Sequence, residues 1–446
     1  MIAQEKLYHV TVLSNFARGF DKYSQTYSKS RIPESTYPNQ FFLLRRDELG
    51  IGIEKAGRLL EKIGITGNRL LVLKTRQDSE SLCPNIANGR GQFIRSDGIV
   101  ISGLYELAET TTTATQLQSI AVEDAMATSL QLLKNEFRPF AQIRPRAISF
   151  LPVALACQAR CPFCFSKASV SSDQIVAKPD WQRVSDWLDR ARKHGAERAV
   201  ITGGGEPTLL SPALLQQLIS ACAHQFEKIV LITNGYTLAA TTGTAQVNYL
   251  ENLYDSGLRV LAISRHHFEA KQNERLMNLD VPIESLIRTW HENRQRWPEL
   301  RLRLISVLQA GGVDNNETLE NYLSWAVGLG VTEICFKELY VSTSAESIYH
   351  DRLANEWSRG HQVSLSLVTR FAEAKGFVVE SRLPWGAPVY QGEWRGRSLR
   401  VAAYTEPSLF WERTQGVARS WNVMANGRCH VSLEDRASEI SLEEMS

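Results

Sequence analysis

The sequence of 446 residues lacks both an excess of one charge and a hydrophobic run long enough to cross a bilayer. Its 50 lysines and arginines face 48 aspartates and glutamates, which gives a net charge of +2, and neither sign forms a long block. The charge pattern therefore supports neither an acidic tail nor a basic arm that binds nucleic acid. No apolar run approaches the roughly 18 residues of a transmembrane helix. We expect neither nucleic acid nor a membrane as a partner.

Cysteine is also scarce, and its spacing is not that of a disulfide framework. The chain has seven cysteines, an odd number, and three of them lie within eight residues. Secreted disulfide scaffolds are short and carry an even number of spaced cysteines. The first residues, MIAQEKLYHVTVLSNF, lack the basic start and apolar core of a secretion signal. We expect a cytoplasmic protein in a reducing compartment.

The length of the chain and the changes in residue pattern along it predict three regions, because one hydrophobic core rarely grows to this size. Residues 1–145 mix helical patterns with the strand-like run LLVLK and are predicted to form an accessory α+β domain that recruits substrate. Residues 146–345 are predicted to form an α/β barrel. Residues 346–446 are predicted to form a C-terminal extension that caps or flanks the mouth of the barrel, with a lid supplied by Trp385, Trp394, Trp411 and Trp421.

The barrel prediction comes from six short apolar runs, each followed by a segment of helical period. These runs are ISFLPVALA, RAVIT, KIVLIT, VLAIS, RLRLISVL and EICFKEL. Helices are predicted between them, for example over 181–194, 213–224, 283–297 and 318–329. Strands separated by crossover helices pair in parallel, and right-handed crossovers curl the sheet. The sequence thus predicts a partial (β/α)6 barrel, whose ligands belong at the carboxyl ends of the strands.

Three cysteines follow the first of these strands in the spacing C-x3-C-x2-C: Cys157, Cys161 and Cys164. Thiolates at this spacing can bind three corners of an iron-sulfur cube and leave the fourth iron without a protein ligand. Structural zinc requires four ligands, and the nearest following histidine, His194, lies on a predicted helix. A cluster of core cysteines is a further alternative, although Arg160 and Pro162 interrupt the apolar character. The pattern favours an iron-sulfur cluster.

With Phe163 before the third cysteine, the motif C-x3-C-x-aromatic-C resembles the signature of the radical S-adenosylmethionine (radical SAM) superfamily. The resemblance covers residues 147 to about 338. It implies one 4Fe-4S cluster on the three cysteines, S-adenosylmethionine bound through its amino and carboxylate groups to the open iron, and adenine against the backbone around Phe163. It also implies an electron donor such as flavodoxin or ferredoxin.

The next strand ends in the sequence TGGGEP, from Thr202 to Pro207. Glycines allow close approach of other groups, and proline suits the first turn of a helix, so an ordinary turn is one interpretation. The resemblance gives another, because the sequence is similar to the GGEP motif of the superfamily. Gly204, Gly205 and Glu206 would then orient the methionyl amine. A valine at Gly205 would block the cosubstrate and leave the cluster intact.

Further polar residues follow the third and fourth strands. Asn234, in a Thr-Asn-Gly turn, and Ser264 offer short polar groups suited to ribose or carboxylate hydrogen bonds. Arg265, His266 and His267 follow directly and are candidate acid, base or substrate-contact residues. Each of these residues could equally have a structural role, since Asn-Gly is a common turn and most histidines lie at a surface.

The fifth and sixth strands supply the last candidates. Alternation places Arg303 and Ile305 on one face and Leu304 and Ser306 on the other. The resemblance implies a polar contact to the cosubstrate from this strand, which we assign to Ser306, while Arg303 could simply face solvent. Lys337 and Glu338 end the sixth strand and are candidate catalytic residues.

The order of these motifs is similar to that in the branch containing the molybdenum-cofactor cyclase and SPASM-like peptide-modifying enzymes. That branch carries further C-terminal cysteines for auxiliary clusters, whereas this chain has only Cys429 after Cys335. We therefore expect a single cluster. The expected activity is abstraction of hydrogen from a peptide or a natural-product intermediate by a 5′-deoxyadenosyl radical. The alternatives are a small metabolite, nucleotide or sugar as substrate, and a noncatalytic iron-sulfur sensor or scaffold.

Overall fold

The computed structural model describes the backbone of five strands within the first 137 residues. Beyond them it describes residues 138–154, 156–164, 179–340, 352–407, 412–413, 415–433 and 435–443. The chain divides into two compact units, one of residues 1–139 with 407–416 and the other of residues 140–406 with 417–446. The boundaries predicted near 145 and 345, and the recruiting role of residues 1–145, stay predictions.

The first unit contains an antiparallel sheet. Its strands are β1 (Leu7–Leu13), β2 (Phe41–Arg45), β3 (Arg69–Leu73), β4 (Arg90–Arg95) and β5 (Val100–Leu104). They pair in the order β2-β1-β3-β4-β5. The strand-like run LLVLK coincides with β3, whereas the helical patterns of residues 1–145 lie outside the described residues.

The second unit is built on a parallel sheet that follows a short strand β6 (Arg144–Pro145). Its successive strands are β7 (Ile148–Leu151), β8 (Ala199–Ile201), β9 (Ile229–Thr233), β10 (Leu258–Ser264), β11 (Arg301–Leu308) and β12 (Glu333–Glu338). Each pairs in parallel with the next along the chain. The predicted six-stranded parallel core is therefore confirmed.

Helices connect these strands as the apolar periodicity predicts. They are α1 (Trp181–Lys193), α2 (Pro212–Ala223), α3 (Tyr236–Ala240), α4 (Gly243–Asp255), α5 (Ala270–Met277), α6 (Ile283–Asn293) and α7 (Asn316–Gly328). The Asp180 side chain caps α1 by accepting from the Arg183 N–H. The helix predicted to reach residue 297 ends at Asn293, because the following turn bonds locally before Pro298.

The C-terminal part of the chain adds helices α8 (Arg352–Gly360) and α9 (Ser366–Ala374). Its strands are β13 (Val378–Arg382), β14 (Pro388–Trp394), β15 (Arg397–Tyr404), β16 (Val417–Ala418), β17 (Trp421–Met424), β18 (Cys429–His430) and β19 (Glu439–Ile440). Strand β15 pairs in parallel with β12, and β17 pairs in parallel with β7. The extension therefore lengthens the barrel sheet at both edges, which the expectation of a cap did not include.

Side chains join the two edges of this parallel sheet. Glu406, which follows β15, bonds to Arg419, which precedes β17, at 2.9 Å. The Arg146 guanidinium before β7 lies 6.0 Å from the ring centre of Trp385, which precedes β14. Burial disfavours the charge of Glu406, but Arg419 and Lys337 hold its pKa at about 2. The contacts draw the sheet into a nearly closed barrel.

The inside of the barrel has an apolar waist midway along its strands. Val230, Val260 and Ala262 are buried there, with Val200, Ile232 and Ile305 packed against them. Because alternate residues of a strand face opposite sides, Leu231, Leu261 and Leu304 are buried on the other side of the sheet. In the part of the chain that the structure describes, no helix is long and apolar enough to cross a membrane.

Candidate functional site

The three motif cysteines lie on the loop that follows β7 and line one cavity of about 520 Å³. The loop is fixed by its own backbone, since the Cys164 N–H donates to the Cys161 carbonyl at 3.1 Å. It is also tied to the end of α5, because the Arg160 N–H donates to the Met277 carbonyl at 2.9 Å. Cys157, Cys161 and Cys164 are partly exposed, so their thiols can reach a ligand in the cavity.

This arrangement fits an iron-sulfur cluster better than a single metal ion. Within the described residues, no three His, Cys, Asp or Glu side chains converge closely enough to hold one ion. The cysteines of a cubane each bind a different iron and therefore do not converge on one point. Burial, the largest influence, raises the pKa of the Cys157 thiol in the protein alone. Iron would stabilise its thiolate.

The glycine turn after β8 packs directly against the cysteine loop. The Gly205 N–H donates to the Val153 carbonyl at 2.6 Å, and the Glu206 N–H donates to the Ala156 carbonyl at 2.8 Å. A Cβ at Gly204 would lie 2.8 Å from the Val153 oxygen, and one at Gly205 would overlap the Ala156 oxygen. The glycines are thus needed for contact between the turn and the loop. A side chain at Gly205 would displace the residue before Cys157, so the contact argues against the expectation that such a change spares the cluster, which stays a prediction.

Glu206 is buried, and its carboxylate accepts four hydrogen bonds from its surroundings. Oε1 accepts from the backbone N–H and the hydroxyl of Thr208 at 3.0 and 2.7 Å, and from the Thr233 hydroxyl at 2.5 Å. Oε2 accepts from the Asn234 N–H at 2.8 Å. Burial raises the pKa of Glu206, although these donors oppose the shift. The carboxylate joins the ends of β8 and β9, and Pro207 begins the short 3-10 turn beside it.

Asn234 connects the end of β9 with the cysteine loop. Its Nδ2 lies 3.7 Å from Sγ of Cys157 and donates to Oε1 of Gln158 at 3.1 Å. Its Oδ1 accepts from the Tyr236 N–H at 2.8 Å, which fixes the amide orientation. Gly235 follows with φ of 79°, a conformation that glycine adopts readily. The predicted site residue therefore lies beside the first cysteine.

Phe163 forms an aromatic group with two residues from other elements. Its ring meets His266 edge to face, with centres 5.1 Å apart, and lies 5.7 Å from the ring of Trp357 on α8. Trp357 stacks on His361 at 3.8 Å. Sequence reasoning missed Trp357, because it lies in the extension, well beyond the motifs that marked the barrel.

His266 is a buried neutral ring that lines the cavity. Its Nδ1 accepts from the Val307 N–H at 3.0 Å. Burial, aided by the charge of Arg265, lowers its pKa to about 3. The ring therefore fixes the wall behind Phe163, and its Nδ1 is not available to take a proton from a ligand.

Arg265 and His267 do not line the cavity. The buried Arg265 guanidinium donates to the carbonyls of His267 and Phe268 at 2.8 and 3.1 Å and to the Glu284 carboxylate at 3.0 Å. His267 stacks on Phe268. These contacts hold the loop after β10. The candidate catalytic roles of both residues are not supported, because their functional groups serve the loop itself.

Strand β11 turns the opposite face to the cavity from the one we expected. Arg303, Ile305 and Val307 line the cavity, whereas Ser306 is fully buried on the other face and its hydroxyl has no partner among the described residues. The predicted alternation of side chains along β11 is correct, but the face predicted to point inward is wrong, since Arg303 extends into the barrel to the Glu333 carboxylate. The expected cosubstrate contact from Ser306 is therefore unsupported. Ser264 at the end of β10 does line the cavity.

Lys337 and Glu338 both border the cavity but have protein partners. The Lys337 ammonium lies 2.7 Å from the Glu406 carboxylate and 5.4 Å from the ring centre of Tyr404. Glu338 accepts a hydrogen bond from the Thr405 hydroxyl. Both residues thus connect β12 to the segment after β15.

The tryptophans expected to form a lid have other positions. Trp421 is buried and donates to the Ile143 carbonyl at 3.1 Å. Trp394 donates to the Ser324 hydroxyl at 3.2 Å, and Trp385 borders the cavity while donating to the Thr405 carbonyl at 2.8 Å. Trp411 lies outside the described residues. The lid prediction is not supported, because the indole N–H groups hold these tryptophans to α7, to the segment before β6 and to the segment after β15.

The chain is similar to several solved structures. The structure of SuiB from Streptococcus suis bound to precursor peptide SuiA is 15% identical, covers 74% of this chain and 68% of its own, and has a TM-score of 0.40. A radical SAM methyltransferase from Sphaerobacter thermophilus is 17% identical over 64% of this chain and 69% of its own, with a TM-score of 0.37. Coproporphyrinogen III oxidase (HemN) from Escherichia coli is 14% identical over 56% of each chain, with a TM-score of 0.36.

No match was found among curated proteins. The sequence model described as the radical SAM superfamily matches residues 151–340, which span the cysteine loop, the glycine turn and the strands through β12. Residues 151–340 are therefore a radical SAM domain, and enzymes of this superfamily use a 4Fe-4S cluster and S-adenosylmethionine.

Proposed function

We propose that this enzyme abstracts hydrogen from a peptide or a natural-product intermediate bound in the barrel cavity. When bound, the cluster and S-adenosylmethionine supply the 5′-deoxyadenosyl radical that removes the hydrogen. The observation that carries the proposal is the contact of the glycine turn with the cysteine loop, in which the Glu206 N–H donates to the Ala156 carbonyl at 2.8 Å. Residues of both motifs line one cavity.

The residues of this site would bind and orient the cluster and S-adenosylmethionine. Cys157, Cys161 and Cys164 would hold the cluster, and Asn234 would donate to the Cys157 sulfur. Backbone groups of Gly204 and Gly205 would face the methionyl amine, since their side-chain positions are closed by the cysteine loop.

The remaining site groups would shape the cosubstrate pocket. Phe163, held between His266 and Trp357, would form the wall beside adenine. Glu206 would act through the turn rather than on the amine, because four donors already occupy its carboxylate.

The cavity supports catalysis over the alternative of a noncatalytic iron-sulfur sensor. It continues from the cysteine loop past Val230 and Ile305 into the barrel, which a sensor would not need. Its volume of about 520 Å³ lies within the usual range for ligand pockets. A small metabolite is the second candidate for the substrate. We further propose a cytoplasmic location and flavodoxin or ferredoxin as the electron donor.

Hydrogen transfer from labelled substrate distinguishes the two substrate classes. Cells that carry the enzyme are grown in deuterated medium, and their extract is separated into peptide and small-molecule fractions. Each fraction is added to the reduced, reconstituted enzyme with unlabelled S-adenosylmethionine, and deuterium in 5′-deoxyadenosine is measured by mass spectrometry. We expect label with the peptide fraction. Label only with the small-molecule fraction would replace the peptide by a metabolite, and no label with either would contradict hydrogen abstraction.

A further inference from the structure

The end of the barrel opposite the cysteine loop carries a cluster of basic side chains. Arg198 directly precedes β8, Lys228 directly precedes β9, and Arg303 lies in the first half of β11. All three line the same cavity as the cysteines. Because the strands are parallel, these positions gather at the amino-terminal ends while the cysteine loop lies at the carboxyl ends.

Carboxylates neutralise only part of this cluster. Glu333 on β12 accepts from Arg303 at 2.8 Å and from Arg301 at 2.7 Å, so one acid faces two arginines. Arg198 and Lys228 have no acid within ion-pairing distance among the described residues. Two cations in the wall of the cavity therefore have no direct ion pair among the described residues, and the charges of Glu333 and Glu197 offset those of Lys228 and Arg198 only in part.

The unpaired cations are partly buried, which is unfavourable without an anion. Burial, followed by repulsion from Arg146, lowers the pKa of Arg198. Burial, followed by repulsion from Arg198, Arg301 and Arg303, lowers the pKa of Lys228 to about 8. Like charges that are partly withdrawn from water destabilise one another unless a negative group lies between them. The cluster has the features of an anion site.

An apolar passage connects this cluster with the cysteine loop. On one side of the cavity, the wall between them consists of the side chains of Val200, Val230, Ile232 and Ile305. Ser149 and Asn422 line the cavity at the same level on the adjoining strands. From Lys228 to Asn234, beside Cys157, the chain advances six residues, which corresponds to about 20 Å of strand. A molecule lying in this passage would meet cations at one end, apolar side chains in the middle and the cosubstrate site at the other end.

We propose that the barrel binds the anionic end of an amphipathic substrate between Arg198 and Lys228, with its apolar body directed along the passage toward the cysteine loop. The anionic end is a carboxylate or a phosphate, since both offer the oxygen acceptors that guanidinium and ammonium groups bind. The assignment as a substrate rests on the proposed hydrogen abstraction. The binding itself does not, and it can be measured without turnover.

Binding of chemically matched probes to the full reconstituted chain tests the proposal. Calorimetry is performed with octanoate, octyl phosphate and octanol, which share an apolar body and differ in the head group. We expect one or both anions to bind at least about tenfold more tightly than octanol, the difference that one charge-assisted hydrogen bond supplies. The tighter of the two anions identifies the head group. Equal affinity for all three probes, or no binding of either anion, would overturn the proposal.

Matched variants locate the site. Lys228→Gln and Arg198→Gln should each weaken binding of the preferred anion by about tenfold and leave octanol unchanged. Lys193→Gln is the control, because Lys193 pairs with Asp189 on the exposed face of α1. Thermal unfolding and iron content verify that each variant is folded. Unchanged anion affinity in both folded variants would remove the site. Loss of anion binding with normal formation of 5′-deoxyadenosine would separate this site from cosubstrate cleavage.

Discussion

The backbone N–H of Asn234 donates a 2.8 Å hydrogen bond to Oε2 of Glu206, and this bond joins the end of β9 to the glycine turn after β8. Asn234 also approaches the Cys157 sulfur at 3.7 Å. The buried carboxylate therefore holds the backbone of the same residue whose side chain contacts the cysteine loop. We infer that it positions the site through the backbone of Asn234.

Replacing Glu206 by Gln tests this positioning role. The glutamine side chain has an NH₂ group in place of one carboxylate oxygen, and this NH₂ cannot accept the hydrogen bonds that the oxygen accepts. The free energy of unfolding should therefore fall by about 1–3 kcal/mol. Affinity for S-adenosylmethionine should fall as well, and calorimetry measures it. Glu292→Gln, at an exposed position on α6, should change neither quantity. Wild-type stability and affinity in the Glu206 variant would contradict the role.

Replacing Gly205 by Ala tests the contact between the turn and the cysteine loop. A Cβ there overlaps the Ala156 carbonyl, so the loop must move, and we expect reduced iron content after reconstitution and weaker S-adenosylmethionine binding. Gly328→Ala is the matched control, because no atom lies within 4 Å of a Cβ at that helical position. Full iron loading in the Gly205 variant would show that the loop tolerates the displacement.

The acid sensitivity of the protein should depend in part on His266. Its folded-state pKa of about 3 lies below its ordinary value of 6.5, so its contribution to stability is complete above pH 6.5 and is lost as the pH falls toward 3. The loss amounts to about 1.4 kcal/mol per pH unit within this window. Urea unfolding from pH 7 to pH 5 should show a smaller loss for His266→Gln than for the wild type. Parallel pH profiles would contradict the buried, neutral state.

The cysteines outside the motif should not hold a second cluster. Cys222 is buried on α2, Cys335 lies on β12 and Cys429 lies on β18, while Cys83 falls outside the described residues. Replacing all four by Ala should leave about four irons in the folded protein. A loss of iron that matches a second cubane, measured in a folded variant, would refute the single-cluster prediction.

The sequence predicts the parallel core well, because six apolar runs separated by amphipathic helices leave few alternatives. It does not predict that β15 and β17 join the edges of the sheet. Which edge a strand joins depends on contacts such as that of Arg146 with Trp385, which lie far apart in sequence. The motif residues around Cys157 and Asn234 meet as predicted, since the carboxyl ends of parallel strands lie together.

The choice of face on β11 illustrates what alternation alone leaves open. Period two separates Arg303 from Ser306 but does not say which of them points inward. The cationic end of the cavity was missed for the same reason, because Arg198 and Lys228 each stand just before a strand and resemble exposed turn residues. Only the closure of the barrel brings them to one cavity.

Formation of 5′-deoxyadenosine by the anaerobically reconstituted protein tests the central claim most directly. With S-adenosylmethionine and a low-potential reductant, the wild type and the control Cys222→Ala should hold about four irons and release 5′-deoxyadenosine. The variant with Cys157, Cys161 and Cys164 all replaced by Ala should do neither. Release of 5′-deoxyadenosine at the wild-type rate by this triple variant, or none from the iron-loaded wild type, would contradict the account.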